Sequence, residues 1–95
     1  MILRCVRRAT ELAWQAGDLA AAEWALRQGL LVMPGEEELW RGLVSVRLAQ
    51  NRAAAAQAVE EMVAALRATR RSARLRRATR DLLRRSGLPV PGRRR

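Results

Sequence analysis

Apolar side chains recur along this chain at spacings of three and four, the period of helices that bury one face. Residues 2 to 16 place Ile2, Val6, Ala9, Ala13 and Ala16 on one stripe, with Arg4, Arg8 and Glu11 opposite and Gly17 as the stop. A second helix starts after Asp18, whose carboxylate can accept from the free amides of the first turn. It sets Ala22, Leu26, Gly29, Leu30 and Met33 inward before Pro34-Gly35 ends it. A third helix begins near Glu36 and turns Leu39, Trp40, Leu43, Val44 or Val46, and Leu48 toward neighbours, with Gln50-Asn51 as the turn. A fourth, residues 53 to 68, carries Ala55 or Ala56, Val59, Met62, Val63 and Leu66. Arg70-Arg71 interrupts the pattern, and Ser72 can cap a fifth helix over 73 to 86 with a narrow seam of Leu75, Ala78, Leu82 and Leu83. Gly87 is its C-terminal stop, with Pro89 and Pro91 beyond. The expectation is an all-α chain of five helices, in two hairpins and a C-terminal capping helix.

The hairpins repeat. From Gly17 to Asn51 is 34 residues, the period of tetratricopeptide helix-turn-helix units. After Gly17, Ala22, Leu26, Gly29 and Pro34 fall on that repeat's small, bulky, small and proline positions. Each has its own reason: Gly17 permits φ above zero, Ala22 and Gly29 let helix backbones approach, and Pro34 stops the second helix. One period on, Trp40 and Leu43 take the apolar positions of the first helix, Asn51 the turn glycine and Ala56 the small residue. Asn51 is expected there because Asn tolerates the left-handed conformation. The second copy then degrades, since Glu60 stands where a bulky apolar residue belongs and Ala68 where proline does.

Length and composition limit the core. A chain of 95 residues makes one small domain. The apolar fraction is 49%, but 18 of those residues are Ala, so the packing is close and thin. Stacked repeats usually need about three units to stand alone, which predicts a chain that docks on something or forms part of something larger. The domain is expected over residues 1–87, its basic helix over 72–86, with 88–95 a disordered basic tail.

Charge divides the chain. Residues 1 to 69 hold eight Arg and eight acids, whereas residues 70 to 95 hold eleven Arg and one acid, Asp81, and so carry the entire net charge of +10. Such a block suits a polyanion. The candidate contacts are Arg76, Arg77, Arg80 and Arg84 on the fifth helix and Arg93, Arg94 and Arg95 in the tail. With no Asn, Gln or aromatic ring on that helix to read or stack on bases, nucleic-acid binding would be nonspecific and salt-dependent. The bland alternative is a solvated amphipathic helix whose leucines cap the stack.

Catalysis finds little to work with. His, Lys and Tyr are absent, and neither Cys5 nor any Ser or Thr sits in an activating context. Glu36, Glu37 and Glu38 resemble an acidic cluster, but at the first turn of a helix they are expected to answer the macrodipole. Dispersed glycines form no phosphate loop. A lone Cys without His leaves no metal site and no internal disulfide, so neither metal nor cofactor is expected. The longest bulky apolar run, Leu30 to Met33, is too short for a bilayer, and Met1 to Val6 is no signal peptide, because Arg4, Arg7 and Arg8 break it. A cytoplasmic, non-enzymatic protein is the expectation.

The run Ala25-Leu26-Arg27-Gln28-Gly29-Leu30, the turn at Pro34 into acidic residues, Glu38-Leu39-Trp40-Arg41-Gly42-Leu43 and Asn51-Arg52-Ala53 together resemble the bacterial transcriptional activator domain. The fifth helix is similar to that family's closing helix, and the resemblance spans about residues 18 to 86. It implies a tetratricopeptide-like region of actinobacterial transcription regulators, acting by oligomerisation and contact with other transcription components. This sequence lacks the family's aromatic-acidic turn after the proline, and no winged helix precedes residue 1. The function expected is therefore protein interaction, with a partner protein or a second copy, in a groove lined by the first helix of each hairpin. Trp14 and Trp24 lie off the repeat's core positions and are the candidate partner contacts, unless they merely cover the hairpin or pack on helix five.

Overall fold

In the computed structural model residues 2–69 and 75–91 are described. Five helices and no strand occur among them: α1 (Ile2–Gln15), α2 (Leu19–Val32), α3 (Glu37–Gln50), α4 (Arg52–Thr69) and α5 (Arg77–Arg85). None is long and apolar enough to cross a membrane. The connections from α1 through α4 are short, so these four helices fold back as antiparallel neighbours. α1 packs on α2, α2 on α3 and α3 on α4, while α5 lies against α3.

One apolar cluster runs through the chain. Val6 contributes from α1, Ala22, Leu26 and Leu30 from α2, and Leu39, Trp40, Leu43, Val44 and Val46 from α3. Ala55, Ala58, Val59, Met62 and Leu66 follow from α4, and Leu75, Leu83 and Leu88 close the far end. Gly29 shows why small residues matter at the α2 crossing. A Cβ there would lie 2.9 Å from Val6 Cγ2 and 3.0 Å from Leu39 Cδ1, so the missing side chain lets α2 nest between α1 and α3. Trp40 adds a polar tie, its indole N–H donating to the Pro34 carbonyl at 2.8 Å across the α2–α3 turn.

Both stop glycines have positive φ, 73° at Gly17 and 72° at Gly87. Each closes a paired motif of backbone bonds: Asp18 N–H donates to Ala13 O and Gly17 N–H to Trp14 O, and likewise Leu88 to Leu83 and Gly87 to Arg84.

Asn51 departs from the sequence reading. Its φ of −171° is extended, not left-handed. Instead Asn51 Oδ1 accepts from the Ala54 amide at 2.8 Å, as Asp18 Oδ1 accepts from Ala21 at 3.0 Å. Asn51 is thus the counterpart of Asp18, not of Gly17, and the second helices of the hairpins are related by 33 residues rather than 34. In that register Ala55 and Val59, both buried, match Ala22 and Leu26. Ala56 is only half-buried and Glu60 is exposed, so the one-residue shift recovers the small and bulky positions, while Met62 and Arg67 fall where Gly29 and Pro34 stand and the second copy stays degraded there.

Other expectations shift as well. On α1, Ile2 and Ala9 are exposed, as is Ala16 in the turn after it, and the inward side is Val6 with half-buried Leu3, Thr10 and Ala13. The expected stripe straddled two faces. Helix α5 begins at Arg77 rather than residue 73, because Leu75 and Arg76 are non-helical and Arg76 is extended, with ψ 157°. Ser72, the expected cap, lies outside the described residues. Ala78 is exposed, and Thr79 is buried in its place. The segment after Gly87 also packs: Leu88 is buried and Val90 lies against the core, because the turn at Gly87 points Leu88 back onto the stack. The fold therefore extends past residue 87.

Candidate functional site

Helices α1 and α3 stand apart, each packed on α2 but not on the other. Between them runs a groove of about 300 Å³. Leu26, Leu39 and Val46 form its apolar floor, α1 supplies Thr10, Glu11 and Trp14, and α3 supplies Gly42 and Ser45. Trp14 is 47% exposed, so its ring is half sunk in the wall and half offered to solvent. Arg7 and Glu38 bridge the groove, Nη2 donating to Oε1 at 2.7 Å and Nε to Oε2. That pairing holds the Glu38 carboxyl below its ordinary range. Beside the floor, the Thr10 hydroxyl is enclosed with no hydrogen-bond partner, an unspent polar group in an otherwise apolar wall. The lining therefore favours an apolar side chain with a charged or polar flank.

The acidic run is dispersed in role. Glu37 is 1% exposed, and its Oε1 accepts from Thr79 Oγ1 at 2.6 Å and from the Arg76 amide at 2.9 Å. Arg41 Nη1 donates to the same Thr79 oxygen at 3.0 Å. Glu37 and Glu38 do lie in the first turn of α3, and each also has a distant partner, Glu37 fastening α5 to α3 and Glu38 tying α3 to α1. Their separate partners leave no carboxylate cluster, and no group of metal-ligating side chains forms among the described residues.

A second carboxylate tie fixes the hairpins to each other. Arg47 of α3 grips Glu23 of α2 with two bonds, Nη2 at 2.7 Å and Nε at 3.1 Å. The Arg47 hydrogen bond lowers the Glu23 pKa against the opposing effect of burial. Arg27, also on α2, reaches Glu61 of α4 at 2.7 Å. None of these pairings is visible in sequence, because the partners lie far apart in the chain.

The repeat residues Ala22, Leu26, Gly29, Trp40 and Leu43 are buried, Pro34 sits in the α2–α3 turn, and Gly17, Asp18 and Asn51 occupy the two interhelical turns. Trp24 is 66% exposed on the outer side of α2, remote from the groove residues. Neither Trp24 nor Trp14 packs on α5, which rests on α3. Of the basic set, Arg76, Arg77 and Arg84 are exposed, but Arg84 meets Asp81 at 3.4 Å. Arg80 is half-buried and donates to the Leu75 carbonyl at 2.6 Å. Arg93, Arg94 and Arg95 lie outside the described residues. Free Cys5 is exposed on α1. No protein-family model, curated protein or solved structure matches this chain.

Proposed function

We propose that this chain is a non-enzymatic, tetratricopeptide-like interaction module whose α1–α3 groove holds a segment of a partner protein. One observation carries the reading: an apolar-floored groove between the first helices of both hairpins, with the half-exposed Trp14 on its wall. Aromatic side chains at the edge of such a recess are the usual anchors of binding energy. The resemblance to the bacterial transcriptional activator domain supports placing the module in transcriptional regulation, where it would contribute contacts rather than DNA reading.

A second reading rests on α5. Arg77, Arg80 and Arg84 follow three and four residues apart on one face, a basic strip suited to phosphates. It is the weaker reading, because Arg80 and Arg84 already serve local partners.

The test is a selection of short peptides displayed against the intact chain. The groove reading expects enriched peptides with a bulky apolar residue, and loss of their binding on Ser45→Arg, which fills the groove, and on Trp14→Ala. Peptides that bind both variants as well as the parent chain would reject it.

A further inference from the structure

The two ends of the α1–α3 groove differ in chemistry. Arg7 and Glu38 line it nearest the N-termini of their helices, and the two bonds between them leave neither charge free for an occupant. Trp14 and Ser45 stand at the other end, each seven residues on, about 10 Å farther along the helices. Glu11 lines the groove between these ends. It is exposed, and it makes no ion pair or side-chain hydrogen bond among the described residues. Across from it α3 presents Gly42, Ser45 and Val46, none of them charged.

Trp14 adds a second feature at the same end. Three residues apart on one helix, Glu11 and Trp14 are surface neighbours, and Trp14 is 47% exposed. A carboxylate beside an accessible indole suits a cation, because the negative charge and the ring quadrupole attract the same sign. The arginines of α1 do not occupy this place. Arg8 lies about 60° round the helix from Glu11 on the side away from Trp14, and Arg4 stands about 10 Å back along the axis, beside the Arg7 end. Nor does net charge oppose a cation here, since residues 1 to 69 are neutral overall and the excess of +10 lies beyond them.

We infer that the groove takes a segment in which a bulky apolar residue, seated on Leu26, Leu39 and Val46, adjoins a Lys or Arg held between Glu11 and Trp14. The inference rests on the groove reading above and adds the sign of the occupant's charge and the end at which that charge sits. An acidic neighbour would lie against Glu11 and would find Arg7, the cation of the lining, already bonded twice to Glu38.

The probes are peptides selected by display against the intact chain whose binding is lost on Ser45→Arg. They are expected to carry Lys or Arg beside the apolar anchor. In fluorescence-anisotropy titrations at low salt, Glu11→Gln should weaken such a peptide about three- to fivefold, and the loss should shrink as salt rises. When the basic residue of the peptide is replaced by Gln, the parent chain should lose a similar factor and Glu11→Gln should cost nothing further. Trp14→Leu, which keeps apolar bulk, should weaken the basic peptide more than its Gln form. Circular dichroism should show both variants folded, since each side chain is exposed. Groove-dependent peptides with acidic or uncharged flanks, or a basic peptide indifferent to Glu11→Gln, overturn this inference and leave the groove reading standing. A selection that yields no peptide sensitive to Ser45→Arg overturns both.

Discussion

Asp18 and Asn51 stand 33 residues apart and do the same work, each accepting a backbone amide three residues on, at 3.0 and 2.8 Å. The pair defines the true step between the second helices of the hairpins. It also makes the caps testable. Asp18→Ala and Asn51→Ala should each cost about 1 kcal/mol, read as a fall of roughly 4–8 °C in melting temperature per kcal/mol for a chain of this size. Asn51→Gly should cost only a few tenths of a kcal/mol. If Asn51→Gly were instead clearly stabilising, the turn would want a left-handed residue and the 34-residue register would return.

The attachment of α5 rests on Thr79 and Leu88. Thr79→Val keeps the shape but removes the donor to Glu37, which should destabilise by about 1–3 kcal/mol. Leu88→Ala should cost about 2–4 kcal/mol as a buried truncation, whereas a residue in a loose tail would cost nothing. Chemical denaturation of both variants decides the matter. By the same logic, ending the chain at Thr69 should unfold it, since Leu75, Leu83 and Leu88 belong to the common core.

Acid should loosen the hairpin contact. Arg47 holds the Glu23 carboxylate below its ordinary pKa. A carboxyl depressed by folding stabilises above its unfolded pKa of about 4.3, and that stability is lost as pH falls through the folded value. The melting temperature should therefore decline as pH drops below about 5. Glu23→Gln should lower the neutral plateau by about 1 kcal/mol and flatten the acid slope. Glu38→Gln should do less, because Arg7 is 54% exposed and water screens the pair. An acid profile unchanged by Glu23→Gln would show that the Arg47 contact contributes nothing.

Binding to DNA, where it occurs, should be a matter of charge. The affinity of the intact chain for random duplex DNA should fall steeply between about 50 and 200 mM salt, with no sequence preference. Replacing Arg77 and Arg84 with Gln should reduce the salt dependence without changing selectivity. A filter-binding series that found a preferred sequence would contradict this, since α5 offers arginines but no Asn, Gln or aromatic ring beside them to read or stack on bases.

Sequence reported the helices well where each reports its own boundary. Gly17, Asp18, Pro34 and Gly87 act on their immediate neighbours, and the apolar stripes of α2, α3 and α4 reflect burial on one broad face. What it hid depends on distant partners or on side choice. Asn51 reads equally well as a glycine substitute or a cap, and only the bond to Ala54 decides. Glu37 looks like any first-turn acid until Thr79, 42 residues away, closes over it. Leu88 sits among glycine and proline, so composition suggests a linker while the turn at Gly87 folds it inward. On α1, apolar residues from Leu12 through Ile2 and Val6 to Leu3 and Trp14 spread over more than half the circumference, so spacing alone left the inward face undefined. The groove was legible only as a consequence of the repeat, since its bridge, Arg7 to Glu38, joins residues 31 apart.

The central claim is that the α1–α3 groove holds a partner segment, and amide and indole chemical shifts of the isotopically labelled chain test it most directly. Titrated with a selected peptide, the account predicts shifts at Thr10, Trp14, Gly42, Ser45 and Val46, with Trp24 and the α5 arginines unmoved. Shifts confined to α5 or to the outer side of α2 around Trp24 and Leu31, with the groove silent, would contradict it.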